Sequence, residues 1–252
     1  MTPDQKRILA DALLAMADDE LILGHRNAEW DAQAPLLEDG VSFAAISVDH
    51  IRHAMTWYTL HSQLVGENPD TYPHELVYHR PADAYRCAKI VALPKGTWSF
   101  TILRQYLFTT LKKLRLMHLE SSAYQPLADI AQKNLRETQN HLQYSQTWAT
   151  QLGQGTKDDK HQAQSALSEL MPYTAELFQS VPGAQALESV EILPETNILN
   201  QAWLYEVMTF LDRIGLDIPE AQMLPLDRAV QGEHTVQMLE KLQSSIPKNP
   251  AA

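Results

Sequence analysis

The sequence predicts an all-α fold built as a bundle of long helices, and three observations carry that expectation. Apolar residues recur at steps of three and four over several long segments, the period of a helix face. The nine glycines and fourteen prolines lie mostly between those segments, where connectors belong. Runs with the alternation of a strand are nearly absent, and the best of them is Lys89-Ile-Val-Ala-Leu93.

Thr2-Pro3-Asp4 starts the first helix with a hydroxyl cap, a proline at the first helical position and an acid in the first turn. This helix is expected to reach about Trp30, with Leu9, Leu13, Met16, Leu23 and Trp30 inward. Pro35 to Gly40 breaks the pattern. A second helix is expected from about Ser42 to Leu64, with Phe43, Ile46, Ile51, Ala54, Trp57 and Leu64 inward. Residues 66–97, with Gly66, Pro69, Pro73, Pro81, Pro94 and Gly96, read as a long crossover with short helical pieces. A third helix covers about 99–121, and a fourth runs from Pro126 to Leu152, closed by Gly153 and Gly155. A fifth is expected from Asp158 to Phe178, a sixth from Thr196 to Ile214, and a shorter one from Glu233 to Ile246, leaving 246–252 as a frayed tail. Four long helices, two on each side of a long crossover, with additional C-terminal helices, predict a ferritin-like bundle forming a single domain over 1–252.

At 252 residues and 44% hydrophobic, the chain can bury a sizeable core. Its 31 acids against 20 Lys and Arg give a net charge of -11, which argues against a nucleic-acid partner, since that needs a basic face. A single cysteine, Cys87, excludes an internal disulfide and a cysteine-based zinc site. The start has no apolar signal core and no apolar run reaches membrane-spanning length, so a soluble cytoplasmic protein without a membrane partner is expected.

Long bundles of this kind can hold a di-iron site, made from a glutamate on each of two helices and Glu-x-x-His on each of two others. The fourth helix carries Asn134, Glu137, Thr138 and His141 in line with apolar Leu127, Ile130, Leu142 and Trp148. The second carries Asp49, Arg52 and His53 beside Ile46, Ile51 and Ala54. Polar groups set in apolar rows are costly unless they meet one another. The residues therefore read first as a buried polar network and second as a metal site. Both acid–histidine spacings are i+4, and the i+3 positions hold Arg52 and Asn140; arginine cannot ligate a metal, but its fixed charge could replace one. No acid occurs between Asp83 and Glu120, so the third helix offers no mid-helix carboxylate and the site reads as dismantled.

The first helix supplies Asp18, Asp19, Glu20, His25 and Glu29. Glu20 or Glu29 could join the network, although a solvated acidic face is the commoner outcome. The acid-free stretch 84–119 holds Arg86, Lys89, Lys95, Arg104, Lys112, Lys113 and Arg115. It reads either as a solvated helix face or as a docking surface for an acidic partner or an anionic ligand, with Arg104, Lys112, Lys113 and Arg115 as its candidates. Cys87 reads as a packing residue, and the five tryptophans as core or interface anchors.

Several motifs resemble those of a known family. They are Ala17-Asp-Asp-Glu-Leu-Ile-Leu-Gly-His-Arg-Asn-Ala-Glu-Trp30, Ala34-Pro-Leu-Leu-Glu38, Ile102-Leu-Arg-Gln-Tyr-Leu-Phe108, His141-Leu with Trp148, Leu152-Gly-Gln-Gly-Thr156, Pro172-Tyr-Thr-Ala-Glu-Leu-Phe178, and Gly232-Glu-His-Thr235 with Met238-Leu-Glu. In this order they are similar to the PaaC subunit family of phenylacetyl-CoA 1,2-epoxidase. The resemblance departs at Asp49-His-Ile-Arg-His53, where the family usually reads Asp-Leu-x-Gly-Gln-Ala, and in a shorter stretch between Pro225 and His234. It implies a ferritin-like fold and a place in aerobic phenylacetate breakdown. It further implies that the di-iron cofactor sits in a homologous catalytic PaaA-type subunit, with no cofactor in this chain. A small PaaB-type subunit would join the complex, and a flavin and iron–sulfur reductase would deliver electrons.

Two functions from different classes follow. The first is a non-catalytic subunit stabilising that catalytic partner, its own Asp49, Arg52, His53, Glu137 and His141 fixing helix packing. The second is a self-sufficient di-iron oxygenase or oxidase acting on an acyl-CoA, with Glu20 or Glu29 completing the ligands. A weaker third is coenzyme A binding by 84–119. Whether the isolated chain forms a homodimer is left open.

Overall fold

A computed structural model describes residues 1–30, 33–220, 224 and 227–244. Its helices are α1 (Pro3–Ala28), α2 (Leu37–Val65), α3 (Tyr72–Tyr78), α4 (Lys89–Ala92), α5 (Trp98–Leu119), α6 (Gln125–Gly153), α7 (Lys157–Leu170), α8 (Gln185–Glu188), α9 (Thr196–Arg213) and α10 (Glu233–Ser244). Two 3₁₀ segments, Ala82–Ala84 and Met171–Phe178, complete the set. The architecture is an all-α, ferritin-like bundle, and the described residues contain no strand. Residues 246–252, expected to fray, lie outside the described ones.

Local chemistry sets the ends. Thr2 caps α1 in a reciprocal box: its hydroxyl accepts from the Gln5 N–H, and Gln5 Oε1 accepts from the Thr2 N–H at 2.9 Å. Thr97 caps α5, and Thr156 with Asp159 repeats the box at α7. Gly66 closes α2 in the left-handed region at φ 83°, where a side chain would be strained.

Three expected elements differ. The second helix starts at Leu37 and runs through Gly40. Glu38 and Asp39 favour the helix N-terminus, and buried Asp39 accepts from Tyr144 Oη at 3.0 Å and Trp148 Nε1 at 2.9 Å. Tertiary bonds thus outweigh the helix cost of one glycine, about 1 kcal/mol. The fifth helix stops being α at Leu170, because Pro172 brings no N–H and its ring crowds the preceding turn; Met171–Phe178 tightens to 3₁₀ instead. The strand candidate Lys89–Leu93 is the short helix α4, buried at Ile90, Val91 and Ala92.

α1 packs along α2, and α5 along α6. α1 and α5 are covered nearly all round, so their polar residues are buried as well as their apolar ones. The core joins Leu9, Leu13, Leu23, Phe43, Trp57, Tyr106, Leu107, Trp203 and Leu211 across the bundle. Ile51 and Leu64, expected inward, are only partly buried.

The acids of α1 are not the solvated face that composition favoured. Asp18, Asp19 and Glu20 are 0–3% exposed, and two of them pin the crossover to the bundle. Asp18 accepts from Tyr58 Oη at 2.5 Å, from the Arg86 N–H at 2.6 Å and from Arg80. Asp19 accepts from the Ala88 N–H at 2.7 Å and from the Arg228 guanidinium. Cys87 packs fully buried between them. No helix among the described residues is long and apolar enough to cross a membrane.

Candidate functional site

The four long helices each contribute polar side chains to one cluster that runs from the bundle centre toward solvent: Glu20 from α1; Asp49, His50, Arg52 and His53 from α2; Gln105 and Lys112 from α5; Glu137 and His141 from α6. Residues three and four apart share a helix face, which is why each helix can present its set together.

They form one continuous hydrogen-bond chain. Asn27 Nδ2 donates to Gln105 Oε1 at 2.8 Å, and Gln105 Nε2 lies 2.9 Å from His50 Nε2. His50 Nδ1 meets Glu20 Oε2 at 2.5 Å. The Lys112 ammonium donates to Glu20 Oε1 at 2.7 Å, Glu20 Oε2 at 2.9 Å and His53 Nδ1 at 2.8 Å. His53 Nε2 continues to Glu137 Oε2 at 2.7 Å. Arg52 Nη2 bridges Glu137 Oε2 at 2.8 Å and Asp49 Oδ1 at 2.5 Å, and His141 Nε2 reaches Asp49 Oδ2 at 2.9 Å. The partners assign the protons: His50 carries its hydrogen on Nδ1 and accepts at Nε2, His53 carries its hydrogen on Nε2 and accepts at Nδ1, so both rings are neutral; His141 donates from Nε2, and its Nδ1 has no partner.

Burial is graded along the chain. The side chains of Glu20, His50, His53 and Lys112 are at most 5% exposed, whereas Asp49, Glu137 and Arg52 are 27%, 33% and 44% exposed. Electrostatics follow. Burial acts to raise the Glu20 carboxyl, but the Lys112 ammonium and His50 together hold it below the usual carboxylate range. Burial, reinforced by Lys112, pulls His53 down to about 2. His141 falls to about 3, again mainly through burial.

Measured against the di-iron recipe, this donor set does not fit. Both oxygens of Glu20 and the Nδ1 lone pair of His53 are taken by Lys112, and a protonated amine cannot ligate a metal. All three ammonium protons have acceptors, so the amine is a complete cationic centre in itself. Its charge stands between Glu20 and His53. On the sequence Arg52 was the cation of this set; in the structure the buried cation is Lys112, and Arg52 lies at the wetter end.

The expected network members Asp49, Arg52, His53, Glu137 and His141 do converge, joined by Glu20. Pairing runs between helices rather than along them: His53 with Glu137, and His141 with Asp49. Glu29 stays outside, paired with Arg26 at 2.7 Å. Sequence reasoning missed His50, Gln105 and the interior place of Lys112. The signal was a polar row of Gln105, Thr109 and Lys112, at steps of four and three on an otherwise apolar helix.

The basic docking surface is corrected by the same geometry. Arg104 is fully buried, donating to the Leu93 carbonyl at 2.6 Å, with its pKa pulled down to about 9 by burial. Lys112 is interior, and Lys113 pairs with Glu206 at 2.6 Å. Arg115 is half-buried and lines a cavity.

Comparison with known proteins finds relatives of this chain. A family model described as phenylacetic acid catabolic protein matches residues 1–252. The chain is also similar to the C subunit of the 1,2-phenylacetyl-CoA epoxidase of Escherichia coli strain K12, with 29% identity over 232 residues, covering 91% of this chain and 92% of that protein.

Proposed function

The chain belongs to the phenylacetic acid catabolic protein family, and from that premise we propose that it is a structural subunit of a multicomponent di-iron oxygenase that epoxidises phenylacetyl-CoA in aerobic phenylacetate breakdown. It carries no chemistry of its own. Its work is to hold a homologous catalytic PaaA-type subunit, with a small PaaB-type subunit in the same complex and a reductase acting through the assembly. The observation that carries this reading is the Lys112 ammonium among Glu20 and His53, a fixed protein cation in the place of an exchangeable one.

A surface suited to such a partner exists on α2. Leu37, Val41 and Val48 are 81%, 66% and 63% exposed along one side of the helix, beside the exposed Leu36. Apolar side chains in a row at helical spacing are suited to bury against another helix. The test is co-purification with PaaA-type and PaaB-type subunits, with iron measured on each. The reading expects iron on the catalytic subunit alone, and loss of the complex in a Val41→Asp, Val48→Asp variant whose thermal midpoint is unchanged. Retention of the complex by that variant would move the interface elsewhere.

A self-sufficient di-iron oxygenase acting on an acyl-CoA is the second reading, favoured by the convergence of Asp49, His53, Glu137 and His141. It requires Lys112 to leave Glu20 and His53. Iron bound to the separated chain, with oxygen-dependent turnover, would support it.

A further inference from the structure

Of the four cations singled out in the basic segment, Lys112 is paired with Glu20 and Lys113 with Glu206, while Arg104 is closed off in the interior, its Nη1 on backbone carbonyls and its Nε and Nη2 without a partner. Arg115 has no hydrogen bond or ion pair with any described residue. It lines a cavity of about 80 Å³ between α1, the end of α5, the segment Leu177–Val181 and the start of α9. The walls are largely hydrocarbon, from Ala12, Met16, Leu177, Val181 and Leu199.

Two carboxylates share this cavity, and both are engaged. Asp19 receives Arg228 through three contacts at 2.9–3.0 Å and the Ala88 N–H at 2.7 Å. Glu188 accepts from the Thr196 N–H and hydroxyl. Arg115 makes no hydrogen bond to either carboxylate; burial lowers the pKa of its guanidinium, and the nearby Asp19 charge partly offsets that. A planar guanidinium with free N–H groups facing an apolar cavity is the complement of a carboxylate bearing a hydrocarbon tail. A dianion is disfavoured, because the lining already balances Asp19 and Glu188 against Arg228 and Arg115. A cavity of about 80 Å³ takes a small ligand.

We infer that this cavity is a binding site for a short-chain monocarboxylate, its carboxylate on Arg115 and its alkyl chain against the α1 and α9 walls. The site lies outside the hydrogen-bond chain of Lys112 and does not depend on the proposed structural role.

The test is ligand-observed NMR titration of the full chain with propionate and butyrate, with butan-1-ol and sulfate as controls. Butyrate is expected to saturate in the millimolar range suited to so small a ligand. Affinity should fall at least about tenfold in Arg115→Leu, and equally in Ala15→Leu, which fills the cavity while keeping the guanidinium. Such tenfold losses separate site binding from diffuse contact. Circular dichroism melts report that both variants fold, and Arg115→Lys, keeping charge without the planar fork, should bind at intermediate strength. Absence of saturation by butyrate, unchanged affinity in both Leu variants, or sulfate binding as tightly as butyrate would each overturn the assignment.

Discussion

Lys112 and Glu20 form a buried pair whose members depend on each other. Each side chain is 4–5% exposed, and the ammonium makes two contacts to the carboxylate. Removing one partner strands the other charge, so Lys112→Met is expected to cost about 3–5 kcal/mol in urea unfolding. Glu20→Leu should cost a similar amount. The double variant should lose clearly less than the sum, a coupling of about 0.5–3 kcal/mol, because no bare charge remains. Strictly additive losses would show that the pair is not the anchor. Glu137 differs: a third of its side chain meets solvent, so Glu137→Ala should cost only about 1 kcal/mol.

The same residues set a pH response. His53 and His141 have folded pKa values of about 2 and 3, below their unfolded value, and His50 is lowered too. Between those folded values and about 6.5, the unfolded chain binds the extra protons, so stability falls as pH drops through that window. Glu20, lowered in the fold, adds to the loss below about 4.5. Thermal midpoints are therefore expected to start falling below about pH 6.5, before ordinary carboxylates titrate. A midpoint level down to pH 5 would contradict neutral, buried histidines.

At the scale of elements, α1 and α2 approach closely at Gly24. A Cβ there would lie 2.9 Å from Ile51 Cγ1 and 3.1 Å from both His50 Cβ and the Ser47 carbonyl. Ser47 Oγ also donates to the Gly24 carbonyl at 2.6 Å, so the contact is fixed from both sides. Gly24→Ala should push the helices apart beside His50 and cost about 1–3 kcal/mol, read as a lower thermal midpoint. The helices themselves were legible in the sequence because their apolar period is long and their caps are chemical: Thr2, Thr97 and Thr156 each stand at the position they cap. The stop at Leu170 has its cause in Pro172, although the expected helix ran past it to Phe178. The start of α2 at Leu37 was not legible, because the bonds of Asp39 to Tyr144 and Trp148 join residues far apart in the chain.

Across the whole molecule, the polar site was half legible for the same reason. Asp49, His53, Glu137 and His141 lie in apolar rows and announced themselves. Lys112 looked like part of a basic surface, because its burial depends on α1 and α2 covering α5 from two directions. Net charge misled similarly about α1, whose Asp18, Asp19 and Glu20 face buried cations and backbone N–H groups rather than water. The resulting molecule has a buried lysine–glutamate pair among its four long helices and an apolar row on α2 outside, the two features on which the proposed structural role rests.

The central claim is that Lys112 does at the bundle centre what a metal pair does in catalytic bundles. Anaerobic titration of the purified, separated chain with ferrous iron, followed by quantitation of bound metal after desalting, tests it most directly. The account predicts no stoichiometric iron and unchanged imidazole signals from His53 and His141. A pair of iron ions retained per chain, with those signals shifted, would contradict it.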